Sequence, residues 1–109
     1  MRRALEFRPG LSVRELALPL ARHYSRSGEY GRALPFFQRA LSGTPADSAA
    51  PLFYEIGLAY EEIGDCGRAL VFFEQYRSRI PRWRRNEVDW HVGNCAYEAA
   101  RRMVEDGRL

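Results

Sequence analysis

The chain has 109 residues, 46% hydrophobic and 28% charged, with a formal net charge of +3. That is the length of one domain with ordinary globular usage, which excludes a disordered tail, a collagen-like chain and a disulfide-rich knot. Its apolar runs fall far short of the roughly 20 residues of a membrane span, and the opening Met1-Arg2-Arg3-Ala4-Leu5-Glu6 shows no apolar signal-peptide region.

The charge is distributed in blocks. Residues 1–46 carry 8 Arg and 3 acids, residues 47–76 carry 1 Arg and 6 acids, and residues 77–109 carry 8 Arg and 5 acids. There is no Lys. An all-Arg set suits phosphate recognition, and coding bias gives the same set. A uniform nucleic-acid face would not be cut by an acidic middle, so opposite blocks point to internal complementarity or to self-association. Cys66 and Cys95 form no Cys-x-x-Cys pair and have no zinc spacing with His23 or His91. They read as free thiols of a reducing compartment, and the expected location is cytoplasmic.

Taken in chain order, the pattern is helical throughout. A first helix is predicted over about 13–27, starting from a Ser12/Glu15 capping box and carrying Leu16, Leu20 and Tyr24. A second covers about 30–41 with Leu34, Phe37 and Leu41 on one stripe, stopped by Gly43 and Pro45. A third covers about 48–63 with Phe53, Ile56, Tyr60 and Ile63, and a fourth covers about 67–79 with Leu70 and Phe73. The last spans about 86–105 and carries Val92, Ala96, Ala99 and Met103. Pro19 and Pro35 lie inside helices and are expected to bend them. No period-two alternation argues for a strand. The expected fold class is all-α, built from antiparallel helix hairpins.

The chain also repeats. Pro9, Pro45 and Pro81 recur at a step of 36 residues, and the same step aligns Ala21 with Gly57 and Gly93, Tyr24 with Tyr60, Gly28 with Gly64, Ala33 with Ala69, and Phe37 with Phe73. One unit reads Phe53-x2-Ile56-Gly57-x2-Tyr60, then Ala69-x3-Phe73, then Pro81. The unit before it reads Leu20-Ala21-x2-Tyr24, then Ala33-x3-Phe37, then Pro45. In order and spacing these resemble the tetratricopeptide repeat, Trp-x2-Leu-Gly-x2-Tyr, Ala-x3-Phe, Pro. The period is longer than that family's usual 34 or so. The third unit departs further: Trp90 is one place late, and Ala100 stands where the hairpin glycine would be.

The resemblance implies a short right-handed α-solenoid. Residues 1–9 would be the tail of a preceding repeat or an N-terminal turn, 10–45 the first repeat and 46–81 the second. Residues 82–109 would be a long helix, either the first half of a third repeat or a cap. Ala21, Tyr24, Ala33, Phe37, Gly57, Tyr60, Ala69 and Phe73 would pack the repeats, with Gly57 facing Ala69. The first helix of each pair would line a concave groove. Arg22, Arg26, Tyr54, Leu58, Trp90, Asn94 and Tyr97 are its candidate partner-binding residues, because they lie off the core stripes. The family's carboxylate clamp for chaperone tails needs Lys and Asn, and the matching places hold Leu18, Arg22, Tyr54 and Leu58, so that partner class is not expected.

No nucleotide, hydrolase or metalloprotease motif is present. Glu61, Glu62 and Asp65 read as a solvated helix end, and His91 has no catalytic partner in the sequence. The expectation is a non-enzymatic protein–protein interaction module with no cofactor and no metal, binding a peptide or partner surface. Two alternatives stay open. One is a nucleic-acid accessory domain acting through Arg82-Trp83-Arg84-Arg85 by charge and stacking. The other is part of a bacterial cell-envelope assembly factor, periplasmic if the whole protein carries a signal sequence. Self-association is expected where a repeat end is left open, with Val92, Ala96, Ala99 and Met103 as the C-terminal candidates.

Overall fold

The structure, a computed structural model, describes residues 13–107. The capping box at Ser12 and the repeat tail at residues 1–9 lie outside the described residues. Five helices follow in order: α1 (Val13–Arg26), α2 (Tyr30–Ser42), α3 (Ala50–Glu62), α4 (Cys66–Arg77) and α5 (Asn86–Glu105). Single 3₁₀ turns at Ala46–Ser48 and Arg82–Arg84 lead into α3 and α5. Among the described residues there is no strand. Each helix packs on the next, α1 on α2, α2 on α3, α3 on α4 and α4 on α5. The result is an elongated stack of 53 × 32 × 19 Å. Its radius of gyration of 15.7 Å exceeds the roughly 13 Å of a compact domain of about 100 residues.

The boundaries follow from local chemistry. After α1, Gly28 takes a φ of 81°, and Glu29 N–H returns to the Tyr24 carbonyl at 2.8 Å. After α3, Gly64 takes a φ of 86°, and Asp65 N–H returns to the Tyr60 carbonyl at 2.9 Å. Both are Schellman endings, which need a residue without a Cβ in the left-handed region. The two turns fall at the same register of the repeat. Asp65 then caps α4, its side chain accepting from Arg68 N–H at 3.1 Å. The 3₁₀ turn after Pro45 delays α3, which begins at Ala50 rather than Ser48, with Pro51 in its first turn. Helices α1 and α2 run on through Pro19 and Pro35, and both prolines are exposed. The last glycine turn comes at Gly107, so α5 has 20 residues against 14 in α1 and 13 in α3.

Packing repeats with the sequence. Ala21, Ala33, Phe37, Ile56, Gly57, Ala69 and Phe73 are all buried. Tyr24 stacks on Phe36 at 5.8 Å between ring centres, and Tyr60 stacks on Phe72 at 5.6 Å. Tyr24 is only half-buried, whereas Tyr60 is buried and its hydroxyl accepts from Gln38 Nε2 at 2.8 Å. One expectation is corrected. The wall that Gly57 meets first is the Phe73 ring, not Ala69. A Cβ at Gly57 would lie 2.7 Å from Phe73 Cδ1 and Cε1, and that ring is fully buried. Gly93, at the same register of the third unit, meets nothing within 4 Å.

Two substitutions at equivalent positions therefore have opposite effects. Gly57→Leu overpacks the α3–α4 contact and lowers stability by about 1–3 kcal/mol. Gly93→Ala in dilute protein raises it by up to about 1 kcal/mol, because Ala is the better helix former where no contact opposes it. Urea unfolding of both variants measures the pair.

Candidate interaction surface

The sequence places Arg22, Tyr54, Leu58 and Asn94 off the core stripes. The structure uses most of them to tie alternate helices together. Arg22 on α1 makes a bidentate pair with Glu55 on α3, Nε to Oε1 at 3.0 Å and Nη2 to Oε2 at 2.7 Å. The hydrogen bond to Glu55 holds the Arg22 guanidinium above its ordinary pKa, so it stays charged. Leu58 is half-buried against the core. Tyr54 is half-buried too, its ring 4.9 Å from Tyr76 and 6.0 Å from Phe73. Burial, and then the Glu61 and Glu87 charges, raise its pKa.

Glu61 joins α3 to α5. Its carboxylate lies 2.8 Å from His91 Nδ1, accepts from Asn94 Nδ2 at 3.2 Å, and has the Cys95 thiol at 3.9 Å. A carboxylate only accepts, so His91 Nδ1 carries the proton. That leaves Nε2 facing the Tyr54 hydroxyl at 3.4 Å. The imidazole also stacks on Phe73 at 5.2 Å. Thus His91 has partners after all, drawn from a helix about 30 residues away in sequence. The acidic trio at the end of α3 divides: Glu61 turns inward, Glu62 is exposed, and Asp65 caps α4. Glu61 was the residue that sequence reasoning missed. Its signal is that it continues the Tyr54–Leu58 row by a further helical turn. Burial raises the Cys95 thiol pKa, and Cys66 and Glu61 add to the effect, so Cys95 is an inert thiol.

A surface depression of about 280 Å³ opens where α3 begins, between Tyr54, Glu55, Tyr76, Ile80 and Arg84. Its polar groups are already engaged. Tyr76 Oη donates to Glu87 at 3.0 Å, and Arg84 reaches both Tyr76 Oη and Glu87. Within the basic cluster, Arg84 is thus paired and Arg85 donates to the Arg77 carbonyl at 3.2 Å. Arg82 is exposed, and Trp83 is 79% exposed. Among the described residues no group of three His, Cys, Asp or Glu is placed to hold a metal ion, and no helix is long and apolar enough to cross a membrane.

An exposed apolar row lies on α5. Trp90 is 68% and Tyr97 65% exposed. Gly93 and Ala100 are exposed beside them, and Val104 continues the row, also exposed. This corrects the C-terminal face named from sequence: Val92 packs against the core and Ala99 is half-buried, while Ala96 and Met103 are exposed on the border of the row. Arg26, at the other end of the expected groove, is exposed at the end of α1. Compared with known proteins, the sequence matches no family model and no curated protein.

Two outcomes follow for the polar links. Glu61→Ala strips His91 and Asn94 of their acceptor and costs about 1–3 kcal/mol in urea unfolding, whereas the exposed Glu62→Ala stays within about 0.5 kcal/mol. The second concerns acid. Arg84, then the Tyr76 hydroxyl, lower the Glu87 pKa below its usual 4.5. A carboxyl more acidic when folded adds stability above its unfolded pKa and loses it as pH falls through the folded one. Melting temperatures between pH 6 and pH 3 will therefore fall less steeply in Glu87→Gln than in the parent protein.

Proposed function

We propose that this chain is a non-enzymatic protein-interaction module of the tetratricopeptide type, and that its binding surface is centred on α5. One observation carries the reading. Trp90 and Tyr97 stand two-thirds exposed on a helix whose opposite side, through Val88 and Cys95, already fills the core. Large aromatics left in water along one helix face, with apolar residues between them, are the residue types of binding hot spots. Asn94, between them in sequence, borders the surface and is steadied by Glu61. The repeat pattern supports the family reading: the paired Schellman turns, the Tyr24–Phe36 and Tyr60–Phe72 stacks and the small residues Ala21 and Gly57 recur at one register. A groove running across α1, α3 and α5 has less to offer, because Arg22 and Asn94 are engaged with α3 and Tyr54 is half-buried.

The test compares the parent protein with Trp90→Ala and Tyr97→Ala, singly, as immobilised bait for proteins of the source cell. Both variants should melt within a few degrees of the parent and lose captured partners. Capture that persists in both, or that falls steeply with salt as phosphate contacts do and follows Arg82→Ala instead, overturns the assignment of α5.

A further inference from the structure

We infer that the α5 surface is a self-complementary helical seam that pairs with α5 of a second copy, antiparallel, across a two-fold axis. The inference rests on the reading of α5 as an interaction surface and names its partner. Three features lead to it. The exposed row, Trp90, Gly93, Tyr97, Ala100 and Val104, advances by alternating steps of three and four residues. That is the spacing of a coiled-coil seam, narrower than the stripe with which a helix covers a globular core. It lies on a helix whose core stripe is already in use through Val88, Val92 and Cys95. A helix apolar on two faces belongs inside a stack, not at its edge.

The order of sizes selects the partner and its direction. Along the seam the residues run large, small, large, small: Trp90, Gly93, Tyr97, Ala100. Reversed, that order is its own complement. Antiparallel pairing sets Trp90 over the partner's Ala100 and Gly93 under the partner's Tyr97, and the two-fold repeats both contacts. A parallel pair would stack Trp on Trp and Tyr on Tyr and leave holes at Gly93 and Ala100. An isologous interface requires this self-complementarity, with residue i meeting j and j meeting i. Gly93 has the open space for an incoming ring that Gly57 fills with Phe73, since nothing lies within 4 Å of a Cβ built there.

The area sets the strength. Trp and Tyr bury about 150–250 Å² each when covered, and about two-thirds of each is available here. With Val104 and the small residues the seam offers several hundred Å² per copy, less than the roughly 800 Å² per partner of a standard stable complex. The dimer is therefore weak and concentration-dependent.

Sedimentation equilibrium of the full chain from low micromolar to millimolar concentration tests it. The mass should rise from 12.6 kDa towards twice that value, and Ala100→Glu, which sets a charge under the partner's Trp90, should hold it at the monomer while melting unchanged at low concentration. Direction is read by disulfide trapping, with the parent protein as the control for Cys66 and Cys95. Ala96→Cys lies beside the two-fold and should cross-link to itself, whereas Ala100→Cys should not. Cross-linking of Ala100→Cys, or of neither variant while the mass doubles, overturns the antiparallel arrangement. A parent protein that stays monomeric at millimolar concentration overturns self-pairing altogether. If it does so while Trp90-dependent capture of other proteins persists, the interaction reading stands and only its partner is wrong. If capture is absent as well, both fail.

Discussion

A buried phenylalanine ring against the smallest residue available holds the middle of this molecule. The Phe73 ring occupies the space that any side chain at Gly57 would need. That one contact sets how closely α4 approaches α3. It also places the next layer, because His91 of α5 stacks on one side of the same ring and Tyr54 of α3 packs beside it. Three helices therefore take their positions from one side chain. Close-packed interiors transmit such constraints, since neither a methyl group nor a void is tolerated cheaply. The first unit uses Ala21 and Phe37 at the same register, with both fully buried.

Helix α5, the last among the described residues, keeps the pattern, and no described helix packs on its outward face. Gly93 keeps the small residue, yet no ring fills the space beside it. The residues around it are those of an interior helix, with Trp90, Tyr97 and Val104 outward and Val88 and Cys95 inward. Repeat stacks bury each unit only against its neighbours, so an end is stable only if its outer face is polar or covered. Here the outer face is apolar. That exposed face is the ground of the proposed pairing, and its internal order restricts what could cover it.

Much of the fold was legible in the sequence because helices report themselves through local signals. The glycines at 28 and 64 and the Tyr24 and Tyr60 positions act within one or two turns, the 36-residue step repeats those local signals, and the helix limits came out within about two residues. What stayed hidden was the rotation of one helix against another. Periodicity separates a core stripe from the rest, but it does not say whether the rest meets water or the helix after next. Tyr54, Arg22 and Asn94 were all off-stripe and so read as groove lining. Each turned out to bridge alternate helices. Trp90 and Tyr97, off-stripe by the same criterion, remain open because no helix follows to meet them among the described residues. Glu61 was misread for the same reason: a helix-end carboxylate and an interhelical acceptor look alike until the opposite helix is known.

These bridges also bear on the proposed binding surface. The acidic middle block and its basic flanks meet at the paired Arg22 and Glu55 between α1 and α3, and Glu61 draws His91 and Asn94 of α5 to α3. Such half-buried hydrogen-bonded pairs gain little net energy for folding, but they use up the polar groups that a ligand crossing α1, α3 and α5 would need. A peptide laid there would have to break a bidentate pair and strip a carboxylate of its donors before making its own bonds, and an unmatched partly buried carboxylate is costly. The outward face of α5 asks for no such exchange. Its groups are mostly apolar and exposed, so covering them releases water without breaking a hydrogen bond. The same interactions that make the helices one body thus favour the proposed binding surface on α5 over one laid across α1, α3 and α5.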